Sequence, residues 1–93
     1  MYVHFIDTSV LLNIINVPGR NQQRDEVMSE LKILVTEKEK NALVLPFATI
    51  IATGNHIAHC GDGHERRKSA EKFKECIERT ISNEAHGNIM AIN

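Results

Sequence analysis

Asp7 is the residue whose type and position point most directly to chemistry. It follows a short apolar run, Tyr2–Ile6, and a second apolar run begins three residues later at Val10. The first run has the composition of a buried strand and the second that of a helix, so Asp7 is predicted to end a strand. Ligands of open α/β sheets bind at that end of the strands. Because a buried charge is costly unless it is paired or bound to a metal, Asp7 is the first candidate for metal binding or catalysis.

Asp7 also has a purely structural interpretation. Acids that precede helices are commonly N-caps, so the side chain could cap the following helix or join a hydrogen-bond network. Thr8 and Ser9 are predicted to be capping residues as well. A secondary role in supporting a metal-bound water stays open for both of them.

Strand and helix patterns alternate along the rest of the chain. Apolar periodicity and breakers predict a strand at 2–6, helices at 8–16 and 24–40, a strand at 42–45, and helices at 47–59 and 65–83. Asn41 is predicted to stop the second helix. Since helices separate the two strands, the strands are expected to be parallel. The predicted order β-α-α-β-α-α is typical of the α/β class.

Two strands make a poor sheet, because independent stability usually needs at least three. The tail His86–Asn93 contains a short apolar run, Ile89–Ile92, that could form a third strand or a loose end. We therefore expect one of three situations. The tail supplies a third strand, the chain is incomplete at its C-terminus, or a partner completes the sheet.

Composition limits the classes of function. The 93 residues allow one domain, and a net charge of −1 gives no strong electrostatic footprint for nucleic acid. An aromatic content of 4% offers no stacking platform for single strands. We expect a cytoplasmic protein with reduced Cys60 and Cys76, because the chain shows no signal peptide, membrane span or disulfide framework.

Two segments together resemble a known family. Phe5-Ile6-Asp7-Thr8-Ser9-Val10-Leu11-Leu12 resembles the opening of PIN domains, the metal-dependent nuclease fold common among toxin–antitoxin ribonucleases. Leu45-Pro46-Phe47-Ala48-Thr49-Ile50-Ile51-Ala52-Thr53-Gly54-Asn55-His56-Ile57 resembles the second strand of that family and the helix after it. The resemblance extends over the whole chain in element order, but only these two motifs are specific.

The resemblance implies a PIN-like fold and an RNA substrate. Several carboxylates, Asp7 among them, would hold Mg²⁺ or Mn²⁺, which would activate water to cleave an RNA phosphodiester. The residue types agree, because these hard cations prefer oxygen ligands. An antitoxin is a further partner that the resemblance suggests. Another protein partner or a second copy of the chain is suggested by the incomplete sheet, and no membrane contact is expected, because no apolar run approaches the ~20 residues that span a bilayer.

The chain departs from the family pattern in two ways. Ala52 stands where the family has its glutamate, and the methyl group cannot bind a metal. The family normally continues for some tens of residues and adds further aspartates, so residues 1–93 are expected to be the N-terminal part of a PIN-like domain with impaired catalysis. The alternative is a non-catalytic small α/β module that binds a partner protein or itself, because an unpaired sheet edge invites pairing.

Other polar residues have competing interpretations. Asn55, one helical turn from Ala52, could support the site or bond a neighbouring loop. The basic cluster Arg66-Arg67-Lys68 could contact RNA phosphates, although a solvated helix face is favoured. A zinc site is disfavoured because the spacing of its five candidate ligands fits no standard pattern; these are His56, His59, Cys60, Asp62 and His64.

Overall fold

A computed structural model describes residues 1–37, 39–84 and 89–92. In those residues the strands are β1 (Tyr2–Phe5), β2 (Asn41–Pro46) and β3 (Ile89–Ile92). The helices are α1 (Thr8–Ile15), α2 (Arg24–Thr36), α3 (Phe47–Ala58) and α4 (Gly63–Glu84). The predicted α/β class is confirmed, and the PIN-like fold stays a prediction.

The described strands form one parallel sheet in the order β1-β2-β3. Tyr2 pairs with Asn41 across the first strand pair, and Leu43 pairs with Ile89 across the second. The apolar run at 89–92 is therefore the third strand that was one of the predicted outcomes. Residues 86–88 and 93 of the predicted tail lie outside the described residues.

All four helices belong to one layer. Both connections advance in the same direction, from β1 to β2 and then to β3, so right-handed crossovers place their helices on the same face of the sheet. Contacts of α1 with α2, α3 and α4 agree with this arrangement. The core lies between this layer and the sheet; its buried members are Ile6, Leu11, Leu12, Ile15, Val17, Leu43, Leu45 and Ile57.

The second helix ends earlier than its sequence pattern predicts. It was expected to continue to Lys40, but α2 ends at Thr36, with Glu37 as its C-cap. The Lys40 N–H donates to the Glu37 carbonyl at 2.9 Å in a turn, and the Lys40 carbonyl accepts a hydrogen bond from the Tyr2 N–H at 2.7 Å, so the chain has left the helix and meets β1 at that point. Asn41 does not stop a helix. It begins β2, is buried, and its Oδ1 is hydrogen-bonded to His4 Nε2 at 2.8 Å.

α2 packs less deeply on the domain than the other helices do. None of its residues is fully buried, and its inner side chains Val27, Leu31 and Leu34 are half-buried. They line an apolar groove of about 160 Å³ together with residues of β1, β2 and α1. Ile33 on the outer side of α2 is 61% exposed.

Candidate functional site

Asp7 lies two residues beyond the end of β1 and serves as the N-cap of α1. Its extended backbone, with φ −85° and ψ 174°, is the geometry that an N-cap residue adopts. Oδ1 accepts hydrogen bonds from the Val10 N–H at 2.9 Å and from the Ser9 hydroxyl at 3.0 Å. The prediction that Thr8 or Ser9 caps the helix is wrong, because Thr8 already has helical geometry and Ser9 donates to the cap.

Thr49 docks α3 against the same end of β1. Its hydroxyl, which is buried, donates a hydrogen bond to the Ile6 carbonyl at 2.9 Å. Ile6 immediately precedes Asp7, so the first turn of α3 contacts the chain where the candidate carboxylate begins. Sequence reasoning assigned no role to Thr49, although a threonine in the first turn of an otherwise apolar helix was a usable signal.

Ala52 lies one helical turn beyond this docking point. At 1.5 Å rise per residue it is about 4.5 Å further along the axis than Thr49, on a similar side of the helix. Ala52 is half-buried and borders a shallow depression of about 370 Å³ with Asn55, His56 and His59. Asp7 is not among the lining residues of that depression.

Ser9, whose hydroxyl donates to Asp7, also lines a polar cavity beside α1. The cavity measures about 240 Å³ and is lined by Ser9, Leu12, Asn13, Arg20, Gln22 and Gln23. Asn13 is buried and holds the wall together, since its side chain donates to the Ser9 carbonyl at 2.9 Å and accepts from the Gln23 N–H at 3.0 Å. The α1 face beside Asp7 is therefore fixed by local hydrogen bonds.

The described residues do not fit a divalent metal centre as they stand. They contain no group of three or more histidine, cysteine, aspartate or glutamate side chains placed to share an ion. Asp7 supplies one carboxylate, and position 52 supplies a methyl group. Mg²⁺ usually needs carboxylates and waters in near-ideal octahedral geometry, so a single exposed acid is not enough.

The zinc alternative gains no support from the described residues. His59 is hydrogen-bonded through Nδ1 to the Asn55 carbonyl at 2.8 Å. Asp62 accepts a hydrogen bond from the Glu65 N–H at 2.8 Å, beside the first turn of α4. These two side chains thus have local structural partners.

The basic cluster lies in the first turns of α4. Arg66 Nη1 donates to the Gly61 carbonyl at 2.9 Å and so ties the α3–α4 turn to the helix. Arg67 and Lys68 are exposed. A structural role is therefore visible for Arg66, whereas RNA contact by the three residues stays a prediction.

No protein-family model matches the chain, and searches of curated proteins and of solved structures find no significant match. In the part of the chain that the structure describes, no helix has both the length and the apolar character needed to span a membrane.

Proposed function

We propose that this chain is a PIN-like domain of the metal-dependent endoribonuclease class in which position 52 lacks the required carboxylate. The observation that carries the proposal is the position of Asp7. It lies two residues beyond the end of β1, at the carboxyl end of a parallel sheet, where α/β proteins bind their ligands. The side chain is exposed there, although it also caps α1.

The docking of α3 supports the same proposal. Thr49 fixes the helix to the Ile6 carbonyl, next to Asp7 in the chain, and Ala52 follows one turn later. A glutamate at position 52 carries its carboxylate on two methylene groups in place of the alanine methyl, which is enough to extend it toward the end of β1. The pair would then provide the oxygen ligands that Mg²⁺ or Mn²⁺ prefers.

The test is Ala52→Glu in the chain as it stands. We expect this variant to bind Mn²⁺ in calorimetry and to cleave a fluorogenic RNA only weakly in the presence of that ion, because residues 1–93 still lack the further aspartates of the family pattern, whereas the parent chain does neither. The double variant Ala52→Glu/Asp7→Asn is expected to lose both properties, because it removes the other carboxylate.

Ala58→Glu is the matched control. Ala58 is exposed at the far end of α3, so this variant adds the same charge to the same helix away from Asp7. Mn²⁺ binding or cleavage at equal levels in both glutamate variants would contradict the proposal. Cleavage that survives Asp7→Asn would contradict it as well, and so would an Ala52→Glu variant that binds no Mn²⁺.

A second candidate function is non-catalytic association with another protein chain. It is favoured by β1, the edge strand, whose side chains Tyr2, Val3 and Phe5 are 72%, 54% and 64% exposed. Soluble proteins usually protect such an edge with charge, proline or a covering element. Sedimentation of the wild-type chain tests this candidate independently of any nuclease activity.

A further inference from the structure

We infer that β1 is a self-association edge, and that two copies of the chain pair their β1 strands antiparallel about a two-fold axis. This inference rests on the association function proposed above and not on the ribonuclease proposal. It assigns the occupant of the edge, the residues that pair, and their register.

The outward backbone groups of β1 are identified by its pairing with β2. The Tyr2 N–H donates to the Lys40 carbonyl and the Ile6 N–H to the Val44 carbonyl, so the even-numbered residues bond toward β2. In a strand, alternate residues direct their backbone groups to opposite sides. The N–H and C=O groups of Val3 and Phe5 therefore face the open edge of the described sheet.

The side chains of the same two residues lie on the face of the sheet away from the helices. Val3 pairs with Ala42 and Phe5 with Val44, whereas the core residue Leu43 pairs with His4. Parallel sheets occur almost only with both faces covered. The exposure of Val3 and Phe5 shows that this face is left open at β1 by the residues that the structure describes.

A second copy fits this edge because the edge is self-complementary. The strand Tyr2–Phe5 contains no aspartate, glutamate, lysine or arginine, so pairing it with its own copy places none of these charged side chains opposite one another. A two-fold axis perpendicular to the sheet reverses the strand direction, so the two β1 strands run antiparallel and keep the same face of the sheet on the same side. The pairing makes one six-stranded sheet from the two three-stranded sheets.

The register follows from the outward groups. In an antiparallel ladder, a hydrogen-bonded pair joins two residues whose backbone N–H and C=O groups both face the partner strand. Pairing Val3 of one copy with Phe5 of the other satisfies the outward groups of both residues in both copies, and it forms two equivalent pairs. Each pair sets a branched side chain against an aromatic one, a favourable cross-strand combination. His4 then lies opposite His4 of the second copy, at the centre of the interface.

The buried area indicates a weak dimer. An aromatic side chain buries about 150–250 Å², so Tyr2 and Phe5 at 72% and 64% exposure still present roughly 100–180 Å² each. The four rings of a dimer thus contribute roughly 400–700 Å², and the backbone and Val3 bring the total toward the ~1,000 Å² that a biological interface needs. We expect a dissociation constant in the range of roughly ten to a few hundred micromolar.

Sedimentation velocity over roughly 1 to 500 μM chain tests the association. We expect a concentration-dependent monomer–dimer equilibrium in the wild type. The double variant Val3→Lys/Phe5→Lys sets lysines against each other in both pairs and should weaken dimerisation by roughly tenfold or more. The matched control is Ile33→Lys on α2, which changes an equally exposed apolar residue and should leave the equilibrium unchanged.

Cross-linking tests the register separately. His4→Cys should form an intermolecular disulfide on mild oxidation, because opposed residues of a non-hydrogen-bonded pair have Cα atoms about 4.5 Å apart, within disulfide range. The wild type, which keeps Cys60 and Cys76, and Ile33→Cys are the controls. A wild type that stays monomeric at the highest concentration would overturn the inference. So would a dimer that Val3→Lys/Phe5→Lys leaves intact, or a dimer in which His4→Cys does not cross-link beyond the controls. None of these results bears on the ribonuclease proposal, which Ala52→Glu decides.

Discussion

Thr53→Val should stabilise the protein, although it removes a polar group from α3. The Thr53 side chain is fully buried, and its hydroxyl has no hydrogen-bond partner among the described residues. Two other helical threonines behave differently: Thr36 donates to the Lys32 carbonyl at 2.7 Å and Thr80 to the Cys76 carbonyl at 2.8 Å. Valine has the same shape as threonine without the hydroxyl.

The magnitude follows from the cost of an unpaired buried polar group. Mutational data place that cost at about 1–3 kcal/mol, so we expect Thr53→Val to raise the free energy of unfolding by roughly 1–2 kcal/mol. In a domain of this size, 1 kcal/mol corresponds to a rise in Tm of roughly 4–8 °C.

Thr49→Val on the same helix provides the matched control. Its hydroxyl donates to the Ile6 carbonyl, so the same chemical change leaves a buried acceptor unpaired and should destabilise by about 1–2 kcal/mol. Urea unfolding of both variants, with unchanged m-values, measures the two effects. If Thr53→Val destabilises as much as Thr49→Val, the Thr53 hydroxyl has a partner and the reasoning is wrong.

Three further predictions concern other residues. Asp7→Ala should lower the free energy of unfolding by about 1 kcal/mol through loss of the N-cap, whereas Asp7→Asn should keep the cap. Equal losses of stability in the two variants, measured by urea unfolding, would contradict the capping role of Asp7. Gly61→Ala should destabilise the protein by about 1 kcal/mol, because φ is +49° and a Cβ would clash with Glu65. Gly63→Ala, whose Cβ would meet only ordinary contacts, should not destabilise it, and thermal unfolding of the two variants measures the difference. Burial raises the pKa of the Cys76 thiol, against smaller opposing effects of Thr80 and Arg79, so the folded state keeps this proton to higher pH than the unfolded chain does. The stabilisation is then lost as pH rises, and urea midpoints should fall between about pH 8 and pH 10 more in the wild type than in Cys76→Ala; an equal fall in both would refute it.

The elements with strong local patterns could be predicted from the sequence. The apolar runs that became β1 and β2 and the periodic segments that became α1, α3 and α4 lie within one or two residues of their predicted bounds. The end of α2 was missed because residues 37–40 favour helix by composition, whereas Lys40 lies in a turn closed on the Glu37 carbonyl and its own carbonyl bonds to Tyr2 of β1. The strand at 89–92 could be named only as one alternative, since its partner, β2, lies far away in sequence.

The candidate site was predictable only in part. Asp7 could be placed at a strand end and before a helix from its neighbours alone, and both placements are found. The Thr49–Ile6 hydrogen bond joins residues 43 positions apart, so a local pattern could single out Thr49 but could not reveal its partner.

The order in which this chain can acquire its sheet follows from the strand pairing. Both strand pairs join segments about 40 residues apart, so each requires a long loop to close before any sheet hydrogen bond forms, which slows folding relative to a helical protein of this size. During synthesis β1 emerges first and must wait for β2 to leave the ribosome. Over that interval its apolar side chains have no sheet partner, and the nascent chain is then most exposed to aggregation.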